Sequence, residues 1–262
     1  MEEKFFGGIK DFYYSSDTSS VNNSITQHYH GIYEIYYMKE GRCSYFIDDR
    51  TYEVVTGDVL LIPSGVIHKT NYSDEAHTRL LINCSEDYIP KSILPHVRSL
   101  PYIYRTKEIK KETARILELI EKEYKRADLF SEDALKCYTG ELFLLLFRNR
   151  GELEQDEKKV GLTGRCVKYL RENYASDIRL FEIANMYSVS AEHLSRSFKK
   201  DTGFGFNEYL TLLRLQKAEY MLKNEPGRSV AEVAYACGFN DSNYFSDKFK
   251  KTYGISPSRM KK

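Results

Sequence analysis

The sequence lacks any long apolar run. Its longest strongly apolar stretch, Leu142 to Phe147, is far shorter than the roughly 20 residues that span a bilayer. The first ten residues, MEEKFFGGIK, also lack the layout of a signal peptide. These absences predict a protein that crosses no membrane and stays in the cytoplasm.

Paired cysteines are absent as well. The five cysteines are scattered at positions 43, 84, 137, 166 and 237, without a Cys-x-x-Cys spacing. This pattern predicts reduced thiols, most of them small core residues, and argues against a disulfide framework or a thiolate zinc site. Apart from one histidine-rich set described below, the sequence shows no catalytic constellation, which predicts that the chain is not an enzyme.

The whole chain has almost no net charge, at +1. From Gly161 onward, however, it has 17 Lys and Arg residues and 11 Asp and Glu residues, a net +6. The part before Gly161 has 22 basic and 27 acidic residues, a net −5. This segregation predicts a phosphate-binding module at the C-terminal end, joined to an acidic module with a different role.

One helix-turn-helix pattern occurs twice, at residues 180–203 and 230–254. The two copies are offset by 50 residues in their first helix and by 51 in their second. Ser190 and Asp241 are predicted to cap the second helices, and Gly203 and Gly254 to end them. The second helix of each copy, called here a recognition helix, is therefore predicted to enter a major groove of DNA.

The segment between the copies, residues 206–223, has the apolar stripe of one long helix. At about 1.5 Å per residue such a helix spans roughly 27 Å. Successive major-groove faces on one side of a duplex lie roughly 34 Å apart. A rigid helix of this length can hold two recognition helices about one helical turn apart.

These two units and their spacer resemble a known family. The stretches LSRSFKKDTGFGFNEYLTLLRLQKAEYML and VAEVAYACGFNDSNYFSDKFKKTYGISPS are similar to the DNA-binding domain of the AraC/XylS transcription regulators. The resemblance covers about the last hundred residues, and it implies a bipartite DNA-binding domain that contacts two adjacent major grooves as a monomer. It also implies a homodimer formed through the N-terminal part, with RNA polymerase as a further expected partner.

The residues outside the apolar stripe of each recognition helix are the predicted DNA contacts. Arg196 is predicted to bond guanine and Asn243 adenine, whereas the paired lysines meet phosphate. The family often has a basic residue where this chain has Asp247. Either the second helix-turn-helix mainly contacts the DNA phosphate backbone, or Asp247 accepts a hydrogen bond from a cytosine amine. The full predicted set is Ser190, Glu192, His193, Ser195, Arg196, Lys199, Lys200, Ser242, Asn243, Ser246, Asp247, Lys250 and Lys251. Within it, His193 is more readily interpreted as an ordinary surface residue.

The N-terminal part is predicted to be rich in β-structure. Residues 1–24 are expected to form an arm or loop, and five short strands follow, with a hairpin turn at Asp48-Asp49-Arg50. Such strands predict a sandwich or small barrel. The strands are expected at 32–38, 44–47, 51–55, 59–62 and 79–83, and helices at 107–126 and 132–148, the second capped by Ser131.

Two segments resemble the paired motifs of the cupin barrel. The first has His28, His30, Glu34 and Gly41, and the second has Gly57, Asp58, Pro63, Gly65 and His68; Asn22 and Tyr72 depart from the cupin pattern. Three roles remain open for His28, His30, Glu34 and His68: a divalent metal site, hydrogen bonding among themselves, or an effector pocket. In the third case Tyr29, Tyr33, Tyr36 and Tyr37 would stack on a sugar or another small polar effector.

The sequence therefore predicts an α+β chain of two domains. A cupin-like antiparallel β-barrel (1–105) is followed by a helical pair (106–150). The barrel alone could cover the apolar second helix of this pair, or the barrel and a second subunit together, and the family resemblance implies the second arrangement, a dimer contact. A charged linker (151–160) leads to an all-α domain with two helix-turn-helix units (161–262). The predicted function is a ligand-responsive, sequence-specific transcription regulator of double-stranded DNA that requires no cofactor. The alternatives are a metal-dependent cupin enzyme with an appended helical domain, and an architectural DNA binder without a ligand.

Overall fold

A computed structural model describes residues 11–19, 32–72, 75–105, 107–150 and 160–261. The chain divides into two compact units, Met1–Ile47 with Thr51–Lys158, and Asp48–Arg50 with Lys159–Lys262. Most of the predicted linker, 151–159, lies outside the described residues. Within the described ranges, no helix combines the length and the apolar character needed to cross a membrane.

Among the residues that the structure describes, the first unit contains two β-sheets, and their strands pair antiparallel as the sequence predicts. A five-stranded sheet has the strand order β1-β7-β2-β5-β8, and a three-stranded sheet has the order β4-β3-β6. Short 3-10 helices at Glu86–Tyr88 and Leu94–Ser99 follow β7. The strands are β1 (Phe12–Ser19), β2 (Tyr33–Glu40), β3 (Arg42–Ile47), β4 (Arg50–Val55), β5 (Val59–Ile62), β6 (His68–Tyr72), β7 (His77–Cys84) and β8 (Ile103–Tyr104).

The prediction of an arm or loop at residues 1–24 was wrong for Phe12–Ser19, which form strand β1. This strand pairs antiparallel with β7 from Phe12↔Cys84 to Ser19↔His77. The alternating side chains of Phe12 and Tyr14 are buried, and both rings pack against Tyr124 of the following helix. The polar second half of the strand lies at the edge of the sheet, which explains why its composition suggested a loop.

Two helices, α1 (Lys107–Arg126) and α2 (Ser131–Arg148), cover one face of the five-stranded sheet. Their apolar side chains, for example Ile116 of α1 and Phe143 of α2, share a core with alternate residues of the strands, for example Ile35 and Ile82. The opposite face of this sheet packs against the three-stranded sheet through a second core. The first unit is therefore layered as helices, five-stranded sheet and three-stranded sheet.

The predicted cap of α2 was wrong. Phe130 occupies the N-cap position, and Ser131 is the first residue of the helix. The Ser131 hydroxyl accepts the Asp128 N–H at 2.9 Å and donates to Glu123 Oε1 at 2.9 Å. Because Glu123 is buried, its carboxylate needs donors inside the fold, and the Ser131 hydroxyl supplies one beside the Arg126 guanidinium at 3.0 Å.

The second unit is helical and contains the repeat. Helices α4 and α5 form the first helix-turn-helix, α7 and α8 form the second, and α6 joins them. The bounds are α3 (Leu162–Asn173), α4 (Leu180–Met186), α5 (Ala191–Thr202), α6 (Phe206–Asn224), α7 (Val230–Ala236), α8 (Ser242–Tyr253) and α9 (Pro257–Met260).

The linking helix α6 belongs to both helix-turn-helix cores. In its first half, the rings of Phe206 and Tyr209 lie 5.6 and 5.2 Å from the ring of Phe198 in α5. In its second half, Leu215, Ala218 and Leu222 pack into the core formed with α7 and α8. Since each half of one continuous helix is buried in a different core, α6 connects the two helix-turn-helix copies mechanically.

Candidate DNA-binding surface and sensor site

Both recognition helices, α5 and α8, begin and end in the same way. The Ser190 hydroxyl accepts the His193 N–H at 3.1 Å, and the Asp241 carboxylate accepts the Tyr244 N–H at 2.7 Å. At the other ends, Gly203 and Gly254 adopt left-handed backbone, with φ of +82° and +75°. Their N–H groups donate to the carbonyls of Lys199 and Lys250, at 2.9 Å in each case. The predicted caps are confirmed, and the two helices are oriented by matched local structure.

The predicted contacts of α5 lie on its solvent side. Leu194 and Phe198 are fully buried, whereas the predicted residues between them are exposed. Arg196 forms an i,i+4 ion pair with Glu192 at 3.7 Å, and both side chains are more than 70% exposed. Such a pair contributes little free energy, so it does not prevent the guanidinium from turning to a base edge. The exposed residues are Ser190, Glu192, His193, Ser195, Arg196, Lys199 and Lys200.

The predicted contacts of α8 are divided between exposed and half-buried positions. Asn243, Asp247, Lys250 and Lys251 are exposed, as the prediction of a DNA-facing side requires. Ser242 and Ser246 are half-buried. The Ser246 hydroxyl donates to the Ser242 carbonyl at 2.8 Å, so its proton is engaged within the helix.

The repeat reveals one exposed aromatic that the sequence prediction did not include. Tyr244 is half exposed, and the Lys248 Nζ lies 5.3 Å from the centre of its ring. The 51-residue offset places Tyr244 at the position that His193 occupies in α5. That offset was the signal available in the sequence, because it marks the same face of both recognition helices.

In the first unit, Glu34 of β2 and His68 of β6 come together between the two sheets. Both are buried, with His68 Nε2 at 3.5 Å from Glu34 Oε2. The Tyr45 hydroxyl donates to Glu34 Oε1 at 2.6 Å. His68 Nδ1 lies 2.8 Å from the Val66 carbonyl, which can only accept, so Nδ1 carries a proton. Burial alone lowers the pKa of His68, but the Glu34 carboxylate and the Val66 carbonyl outweigh it and raise that pKa above its ordinary value.

The remaining members of the predicted histidine set, His28 and His30, lie outside the described residues, as does Tyr29. Across the described ranges, no group of three or more His, Cys, Asp and Glu side chains is arranged to hold a metal ion. Glu34 and His68 bond to each other and to Tyr45 and Val66. The described pair therefore has the geometry of mutual hydrogen bonding, the second of the three predicted roles.

The predicted cluster of tyrosines is divided by the alternation of β2. Tyr36 lies on the Glu34 side, where its hydroxyl donates to the Tyr72 hydroxyl at 3.4 Å. Tyr33 and Tyr37 lie on the other side and pack against the core shared with α1 and α2. The prediction that Tyr33, Tyr36 and Tyr37 line one pocket was wrong, because successive residues of a strand point to opposite faces.

Comparisons with known proteins assign a class to each unit. A family model described as an AraC-like ligand binding domain matches residues 13–135, and one described as a helix-turn-helix domain matches residues 183–262. The first covers strands β1 to β8 with α1, and the second covers both recognition helices. A small-molecule ligand and DNA are therefore the partners of the two units.

Curated relatives match along most of their length. The chain is 25% identical to the HTH-type transcriptional activator RhaR of Mannheimia succiniciproducens, over 89% of this chain and 86% of that protein. It is 25% identical to the HTH-type transcriptional activator RhaS of Escherichia coli, over 88% and 85%. A crystal structure of ToxT from Vibrio cholerae, bound to an unsaturated fatty acid, aligns over 97% of this chain and 96% of its own, with 17% identity and a TM-score of 0.41.

Proposed function

Since the chain belongs to the AraC family of transcription regulators, we propose that it activates transcription when a small molecule occupies its N-terminal unit. It is a sequence-specific DNA-binding regulator and not an enzyme. Activation is supported by the relatives, which are named as transcriptional activators. The ligand binding domain matched at residues 13–135 argues against an architectural DNA binder that responds to no ligand.

The matched capping of α5 and α8 is the observation that supports two-groove binding most strongly. Side-chain caps at equivalent positions, Ser190 and Asp241, and C-terminal glycines present the same side of each recognition helix to solvent. Arg196 is the proposed guanine contact in the first groove, because its planar fork can bond O6 and N7 together. Lys199, Lys200, Lys250 and Lys251 follow at the same place in both helices and are proposed to contact phosphates.

In the second groove the proposed base contacts are Asn243 with adenine and Asp247 with a cytosine amine. Asp247 is exposed on α8 at the position equivalent to Arg196. Only amino groups of cytosine and adenine donate hydrogen bonds in the major groove. A carboxylate at this position is therefore suited to an exocyclic amine and is repelled by phosphate.

The proposed effector is a small polar molecule, with a sugar as the first class to test. The core between the two sheets contains the hydroxyls of Tyr36, Tyr45 and Tyr72 and the Glu34–His68 pair. These groups favour a ligand with several hydroxyls rather than a purely apolar one. No metal or other cofactor is included in the proposal, since Glu34 and His68 already bond to each other.

Three further parts of the proposal concern assembly and place of action. Dimerisation through α1 and α2 is supported by the exposed turn between them, where Leu129 is 88% and Phe130 70% exposed. RNA polymerase is the proposed partner in activation. The cytoplasm is the proposed compartment, which is consistent with a DNA target and with five free cysteines.

Selection of binding sites from random duplexes by the full-length chain tests this function. We expect a bipartite consensus whose two halves lie about one helical turn apart. Adding a library of sugars and other small polar metabolites should alter the affinity for the selected duplex without altering the consensus. Recovery of duplexes without any consensus would contradict the function, and indifference to every metabolite would contradict the proposed effector class.

A further inference from the structure

The midpoint of the linking helix α6 is joined to two segments outside that helix. One is the loop at 174–176, which precedes the first helix-turn-helix, and the other is the turn of the second, at Gly238 and Phe239. Arg214 lies at this midpoint, between the half of α6 that packs on α5 and the half that packs on α7 and α8.

The guanidinium of Arg214 holds the loop by two hydrogen bonds. Its Nε donates to the Tyr174 carbonyl at 2.7 Å, and its Nη2 donates to the Ser176 carbonyl at 2.8 Å. The planar fork of arginine presents two donors in a fixed geometry, which suits two carbonyls of one loop. One turn further along α6, the Lys217 Nζ lies 5.7 Å from the centre of the Tyr174 ring.

The same loop contacts the turn of the second helix-turn-helix. A Cβ added to Gly238 would lie 2.7 Å from the Ala175 carbonyl oxygen, so the two backbones are in direct contact. The Arg214 guanidinium carbon lies 6.0 Å from the centre of the Phe239 ring, beside this contact. Arg214 therefore lies where three segments meet: α6, the loop that leads to α4, and the turn of the second helix-turn-helix.

We propose that Arg214 is a positioning residue that fixes the separation and angle of the two recognition helices, so that the protein tolerates only one spacing between its two DNA subsites. This inference rests on the proposed function, because it concerns how the same DNA surface is arranged. Binding to two subsites at once is strongest when both helices are already placed one helical turn apart. A connection that bends at the midpoint of α6 would accept other spacings, at the expense of affinity for the preferred one.

The test compares duplexes that differ only in spacing. The probes are the duplex selected by the full-length chain, versions with one or two base pairs inserted between its subsites, and a version with the second subsite scrambled. The variants are Arg214→Ala and Arg214→Gln, the latter retaining a single amide donor group. Lys223→Ala is the matched control, since Lys223 is an exposed cation of the same helix and pairs with Glu219, one turn away in that helix.

In the unmodified protein each insertion should weaken binding sharply. Because hydrogen bonds from a charged group contribute on the order of a tenfold change in an equilibrium constant, Arg214→Ala should reduce the insertion penalty about tenfold. It should also weaken binding to the preferred duplex while leaving binding to the scrambled duplex unchanged. Arg214→Gln should give an intermediate penalty, and Lys223→Ala should retain the full one.

A purely structural role for Arg214 would give a different result. General loss of folded protein would weaken binding to all duplexes by the same factor and leave the insertion penalty at its original value in both Arg214 variants, which would overturn the inference while leaving the DNA-binding function intact. If the unmodified chain itself selected no duplex, the proposed function would fail and the inference with it.

Discussion

Arg196 and Asp247 occupy equivalent positions on the two recognition helices and carry opposite charges. A cation at this position gains from the phosphates of any duplex as well as from a guanine, whereas a carboxylate gains only from an exocyclic amine. In the proposed binding mode, the first helix-turn-helix gains general attraction from Arg196 as well as from Lys199 and Lys200. The second gains it from Lys250 and Lys251, without a contribution from Asp247.

Substitution of Arg196 tests its assignment as a base contact. Arg196→Ala should cost about 1–3 kcal/mol on the preferred duplex and relax preference at one base pair. Lys250→Ala is the comparison, and it should weaken all duplexes similarly and lower the salt slope by about one. Binding measured on specific and random duplexes at several salt concentrations checks both. An equal loss on both kinds of duplex for Arg196→Ala would identify Arg196 as a phosphate contact.

The buried Glu34–His68 pair gives a pH dependence of known sign. The folded pKa of His68 is raised above its ordinary value, the carboxylate and the Val66 carbonyl outweighing burial. Its contribution to stability is therefore complete below the unfolded pKa of about 6.5 and is lost as pH rises through the folded pKa. Glu34→Gln removes the charge that raises this pKa, and burial then lowers it, so the variant should lose stability as pH falls.

The difference in the free energy of unfolding between the unmodified protein and Glu34→Gln isolates this contribution, because most other ionisable groups cancel. We expect the difference to be larger at pH 6 than at pH 8 in urea denaturation. A difference that does not vary with pH would show that His68 is not stabilised as an imidazolium.

At the scale of elements, the caps of the repeat were predictable and the neighbours of the strands were not. Ser190, Asp241, Gly203 and Gly254 act locally, within one turn of helix, so sequence spacing alone locates them. The strand β1 depends on a partner about 65 residues away in β7, and its polar half carries no local signal for that pairing.

The candidate sites follow the same division. The exposed sides of α5 and α8 could be predicted because helical periodicity separates Leu194 and Phe198 from the residues between them. The tyrosines of β2 were assigned to one pocket because they are close in sequence, although alternation sends Tyr33 and Tyr37 away from Tyr36. The bonds of Arg214 to the loop at 174–176 join residues about 40 positions apart, and no local pattern indicates them.

Two glycines with left-handed backbone provide a matched test of the contact between the turn of the second helix-turn-helix and the loop at 174–176. Gly254→Ala should cost about 1–2 kcal/mol for the left-handed conformation alone, since among the described residues nothing lies within 4 Å of the added Cβ. Gly238→Ala has a similar φ of +81° and adds a close approach to Ala175. Overpacking of this kind costs about a further 1–3 kcal/mol.

Urea denaturation followed by far-ultraviolet circular dichroism measures both variants against the unmodified protein. Gly238→Ala should be the less stable of the two. Equal destabilisation would mean that the turn of the second helix-turn-helix and the loop at 174–176 do not pack closely.

At the scale of the whole molecule, each unit has its own core and its own partner. The Glu34–His68 pair lies between the sheets of the first unit, and the recognition helices lie in the second. In the proposed function, the base contacts belong to α5 and α8, and the effector groups to the sheets. The proposal therefore makes the identity of the bases bound a property of the second unit, and the response to a small molecule a property of the first.

Hydroxyl-radical footprinting of the full-length chain on its selected duplex tests the central claim most directly. If both recognition helices enter DNA, protection should appear over two successive turns on one face, with centres about 10 base pairs apart. Methylation of guanine N7 should be blocked in the major groove that Arg196 enters. Protection confined to a single turn would contradict the account, because the second helix-turn-helix would then not contact DNA.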